Sequence, residues 1–129
     1  MAREEMRVRT KNCANRVIKL CAALPKGWMA RVLGAQLLRS GTSVGANYRA
    51  VCRAKSTADF LNKLRIVEEE CDEFLCWMEL LVENGLIKES RLRSLLQEGD
   101  KILSIIVASA KTTRVGKHLA NRKSQIEDA

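Results

Sequence analysis

Between residues 57 and 83, Phe60, Leu64, Val67, Cys71, Phe74, Met78 and Leu81 recur at alternating spacings of four and three. That period places all seven on one stripe of a single helix, packed at coiled-coil-like angles against other helices. Ser56 or Thr57 supplies the cap, Asp59 adds favourable charge in the first turn, and Asn84-Gly85 supplies the left-handed residue that ends it. At a rise of 1.5 Å per residue the helix is roughly 40 Å long, so only elements of similar length can cover its stripe.

The rest of the chain supplies them. From about Ser90 to Lys111, Leu92, Leu95, Gly99, Ile102, Ile106 and Ala110 follow the same spacing and form the natural antiparallel partner. A first helix, about Arg3 to Leu24, carries Val17, Leu20, Cys21 and Leu24 and stops at Pro25-Lys26-Gly27. A second, about Trp28 to Arg53, uses Val32, Leu33, Leu37, Val44, Tyr48 and Val51, and its weak helix propensity at Ser40 to Gly45 leaves room for a kink or short break. One Pro and seven Gly are too few for the turns of a many-stranded sandwich or barrel. The expectation is an all-α, antiparallel up-and-down four-helix bundle over residues 1–111, followed by a basic tail, 112–129, that frays or lies on the surface.

Charge is distributed unevenly. Residues 1–55 hold 12 basic and 2 acidic side chains, 56–99 hold 5 and 10, and 100–129 hold 6 and 3. No acid separates Glu5 from Asp59, which leaves eleven bases uncompensated in that interval. Such a surface suits a polyanion, bound mainly through phosphates and tolerant of sequence. Candidate contacts are Arg31, Arg39, Arg49, Arg53 and Lys55 on or just after the second helix, with Arg7, Arg9, Lys11 and Lys117 on the first helix and the tail. Two Trp, one Tyr and two Phe, with Phe60 and Phe74 assigned to the core, leave no aromatic platform for base stacking.

Most catalytic constellations cannot be assembled. His118 is the only histidine, which removes histidine-based zinc sites, His-containing triads and the di-iron bundle motif within one chain. No cofactor and no metal are expected. Glu70 and Glu73, one turn apart, have the residue types of a glycosidase acid and base, but nothing else indicates a sugar cleft. With Trp77 they fit a subunit contact better. Gly41 and Gly45 form GxxxG, seven residues after Gly34, without the GxxxxGK[ST] pattern of a phosphate loop. They read as a close helix approach, Asn47 lying on the same packed segment.

The five cysteines, Cys13, Cys21, Cys52, Cys71 and Cys76, are odd in number, show no CxxC spacing, and read as buried thiols of a cytoplasmic protein. The longest nearly apolar run, 102–110, is about half of what a bilayer span needs.

The segment Leu37-Leu38-Arg39-Ser40-Gly41-Thr42-Ser43-Val44-Gly45-Ala46-Asn47-Tyr48-Arg49-Ala50 resembles the signature of the four-helix-bundle proteins first known from intervening sequences of 23S ribosomal RNA genes. Ser56, Asp59-Phe60, Lys63-Leu64, Ile66, Glu70, Glu73 and Trp77 through Leu81 are similar to that family's third-helix pattern. Arg49-Ala50 stands where Arg-Glu is usual, and Glu68-Glu69 replaces a pair that is often apolar and basic. The resemblance implies a bundle that assembles into a homo-oligomeric ring, typically a pentamer, with no assigned catalytic residue. It also implies kinship in fold with the accessory variability proteins of diversity-generating retroelements, which work with a reverse transcriptase and its RNA. Two functions follow as expectations. One is a non-enzymatic scaffold that binds RNA or DNA in a ribonucleoprotein or mobile-element setting. The alternative is an adaptor for an acidic protein partner, such as a reverse transcriptase or another protein encoded nearby.

Overall fold

A computed structural model describes residues 2–128, which form α1 (Arg3–Ala22), α2 (Trp28–Val51), α3 (Thr57–Glu83) and α4 (Glu89–Asp128), with no strand among them. Successive helices are antiparallel neighbours, and α4 returns to touch α1, so α1/α2 and α3/α4 are opposite sides of the bundle. α3 starts and stops as its sequence dictates. The Ser56 hydroxyl accepts from the Asp59 N–H at 3.1 Å, and the Asp59 carboxylate accepts in turn from the Lys55 N–H at 3.0 Å and the Lys63 ammonium at 2.7 Å. At the far end Gly85 has φ 70°, the Leu86 N–H donates to the Leu81 carbonyl at 2.9 Å and the Gly85 N–H to that of Val82 at 3.0 Å, a Schellman closure.

Six of the seven stripe residues of α3 are buried; Phe60 at its base is half-buried, with the Arg3 guanidinium 5.4 Å above its ring. Phe74 occupies the centre. A Cβ added to Gly41 of α2 would lie 3.3 Å from its ring, and one added to Gly99 of α4 would lie 2.9 Å from it. Two glycines on facing helices therefore make room for one phenyl group. Gly41 also sits against α1, where an added Cβ would be 2.8 Å from a Val17 methyl. At Gly45 the limit is backbone, since a Cβ there would lie 3.3 Å from the Thr10 carbonyl. Replacing Gly45 with Leu is accordingly expected to push α1 from α2 at a cost of about 1–3 kcal/mol, read as a lowered urea midpoint. An unchanged midpoint would refute this close approach.

Three expectations need correction, none of them the course of α2, which runs unbroken through Ser40 to Gly45 although the Ser40, Thr42 and Ser43 hydroxyls fold back onto the carbonyls of Gln36, Leu38 and Arg39 at 2.8, 2.7 and 2.6 Å, a contact that tends to bend a helix. Asn47 does the same toward Ser43 at 2.8 Å, so its amide serves its own helix and not a neighbour. Val32 points outward and is 51% exposed, since Ala30, Gly34 and Leu37 form the inward row of that half of α2. The tail expected to fray continues α4 instead, to Asp128. The core-facing row ends at Ala110, but no proline or capping glycine stops the helix there, and the Lys123–Glu127 pair at 4.0 Å is of the supporting i,i+4 kind. α4 is about 60 Å long and overshoots the bundle base by several exposed turns.

Candidate nucleic-acid interface

The antiparallel packing of α1 on α2 brings the base of α1 beside the end of α2. Small residues on both, Ala14, Thr42, Gly45 and Ala46, leave an open groove of about 430 Å³ between the helices. Arg7, Lys11 and Arg49 line it, together with Val8 and Glu4. Three of the nine bases singled out in the sequence thus converge on one surface, and the pattern that makes the floor low is the same GxxxG segment that lets the helices approach. Arg7 touches Glu4 at 3.1 Å, an exposed i,i+3 pair that water and salt screen strongly. Lys11 and Arg49 have no carboxylate within ion-pair distance among the described residues.

The other six bases are placed differently. Arg9 is spent: its Nε and Nη2 donate to the two Glu98 oxygens of α4 at 2.8 and 2.6 Å, a bidentate clasp that ties α1 to α4. The bond to Glu98 raises its pKa further, and the group is not available to a phosphate. Arg39 bridges α2 to α3, donating to Glu70 at 3.1 Å and to Glu73, whose Oε1 also accepts from the Trp77 indole N–H at 3.1 Å. Glu70, Glu73 and Trp77, expected at a subunit interface, find their partner within the same chain. Arg31 lies at the opposite end of α2, beside Leu24, Pro25 and Gly27. Arg53 and Lys55 sit in the α2–α3 turn at the base, and Lys117 lies one turn beyond Thr113, which lines the same basal pocket as Lys55 and Arg3.

Glu98 was invisible as a partner because it lies 89 residues from Arg9 and nothing local marks the pairing. No three His, Cys, Asp or Glu side chains gather as a metal site among the described residues. Burial pushes the Cys13 thiol up to about 11 and the Cys71 thiol to about 12, so neither is a thiolate at neutral pH. Cys76, expected to be buried, is exposed because it lies on the outer face of α3.

The profile of the 23S rRNA-intervening sequence protein family matches residues 4–108. The chain belongs to this family. A crystal structure of a protein with unknown function from the S23 ribosomal protein family of Bacteroides thetaiotaomicron is similar, with 32% sequence identity and a TM-score of 0.80 over 86% of this chain and 99% of that chain. No curated protein matches. The family match ends at residue 108, so the exposed end of α4 lies outside it. No helix among the described residues is long and apolar enough to cross a membrane.

Proposed function

We propose that this member of the 23S rRNA-intervening sequence protein family is a cytoplasmic, non-enzymatic scaffold that binds structured RNA through phosphate contacts in the α1/α2 groove. The observation that carries the reading is the convergence of Arg7, Lys11 and Arg49 over a floor of small residues. A low floor lets a phosphate backbone come close to all three bases, while the scarcity of exposed aromatic rings gives no means of reading bases. The family's association with an intervening sequence of 23S rRNA makes RNA the first polyanion to test. As a homo-oligomer the protein multiplies the groove: a pentamer, the number the resemblance implies, presents five, and binding along one RNA gains through effective concentration.

The test is the salt dependence of binding to a generic structured RNA. Three phosphate contacts predict an affinity loss of roughly 20- to 40-fold between about 50 and 200 mM salt. Affinity that is absent at 50 mM, or flat across that range, contradicts the reading. A second reading, contact with a protein partner, is favoured by the exposed apolar pair Trp28 and Val32, one turn apart on α2 and 68% and 51% exposed. An assembly indifferent to RNA at every salt concentration points there.

A further inference from the structure

α4 runs on for several turns past the last residue that the bundle covers. The row that faces the core, Ile102, Ile106 and Ala110, continues in register as Thr113, Lys117 and Ser124, so that side of the overshoot is polar. The opposite side is not. Val115, Leu119 and Ile126 point there within about 40° of one another, at 3.6 residues per turn. All three are exposed, Ile126 at 74%. Lys111 and Arg122 border them along one edge and Lys123 along the other. No acidic residue occurs between Asp100 and Glu127. Of the bases from Lys111 to Lys123, only Lys123 has a carboxylate within ion-pair distance among the described residues, that of Glu127 at 4.0 Å. The family match ends at residue 108, so what this segment does is a property of this chain and not of the matched bundle.

We infer that the overshooting turns of α4 are a docking surface for an anionic lipid bilayer and lie along it in the plane of the interface. Apolar groups on one side with bases along both edges suit that position: the apolar side chains enter the boundary between headgroups and acyl chains, and the bases meet lipid phosphates. Arg122 argues against a packed helix as the occupant. It comes seven residues after Val115 and so points to the same side, where a helix lying on Leu119 and Ile126 would have to bury its charge and set an acid against it. At a bilayer its stem lies along the apolar groups and its guanidinium reaches a phosphate. RNA would account for the bases but would leave the three apolar side chains in water. Glu68, Glu69 and Asp72, in the groove between α3 and α4, are repelled by an anionic surface, which confines the contact to the part of α4 beyond the bundle. None of these residues lines the α1/α2 groove, so the inference does not rest on the RNA reading.

Cosedimentation of the full chain with vesicles tests it. At low salt the chain is expected to bind phosphatidylcholine vesicles that contain about 30% phosphatidylglycerol, and not vesicles of phosphatidylcholine alone. Leu119→Gln is expected to weaken that binding about tenfold, whereas Ala120→Gln, one residue on and pointing to the bundle side, leaves it unchanged. Lys111→Gln with Arg122→Gln is expected to weaken it about 30-fold. All these variants should keep the wild-type melting curve, because the core row ends at Ala110. No binding to anionic vesicles, equal binding to both kinds, or equal losses in Leu119→Gln and Ala120→Gln overturns the inference. So does a lower light-scattering mass of lipid-free Leu119→Gln, which would assign the apolar side to a second copy of the chain. A wild-type chain that binds anionic vesicles and no RNA supports this inference and contradicts the RNA reading alone.

Discussion

Reversing three charges together, Arg7→Glu, Lys11→Glu and Arg49→Glu, is expected to weaken binding to structured RNA at 50 mM salt by about 100-fold or more. Each base that neutralises a phosphate contributes about one counterion to the salt slope, so the residual binding of this variant should be nearly independent of salt. The fold should survive. Lys11 and Arg49 are exposed and make no ion pair, and Arg7 loses only an exposed contact to Glu4, worth little on the surface. A matched control is Arg31→Glu, at the other end of α2, which should change affinity only slightly. A loss in the control of about one third of the triple variant's on a logarithmic scale would mean that net charge, and not the groove, governs binding.

Phe74→Ala is the second large effect, and it concerns the fold. The ring is fully buried at the point where α2, α3 and α4 meet, between Gly41 and Gly99. Removing it opens a cavity that the two glycines, which have no side chains to move into it, cannot refill. The expected cost is about 3–5 kcal/mol. That is a large share of the roughly 5–15 kcal/mol that stabilises a domain, and it corresponds to a drop of about 10–20 °C in the thermal midpoint. A drop of only a few degrees would show that the bundle collapses around the missing ring and that the packing at this layer is loose.

The core was legible because its signal is local and repeated. The α3 stripe needs only the helical period to be read, and the Asn84-Gly85 terminus needs only the left-handed residue that closes a helix. The end of α4 was not legible, since the row that ends at Ala110 records where the bundle stops covering the helix and not where the backbone stops being helical. Long-range ion pairs were hidden for a different reason. Arg39 and Arg9 look in the sequence like the other bases of an acid-free stretch, and only the antiparallel stacking of α1, α2, α3 and α4 brings Glu70, Glu73 and Glu98 to them. The effect is to divide the basic surface: Arg9 and Arg39 meet an acid on another helix, and Arg7, Lys11 and Arg49 are left together over the low floor at Gly45.

That division is tested most directly by locating bound RNA on the protein. Photo-crosslinking of 4-thiouridine-labelled structured RNA to the full chain, followed by mass spectrometry of the crosslinked peptides, reads the position without any substitution. Crosslinks concentrated within residues 4–14 of α1 and 42–49 of α2, and lost at 200 mM salt, are the predicted result. Crosslinks confined to the overshooting turns of α4, or spread evenly over the basic residues of the surface, would contradict the assignment of the α1/α2 groove.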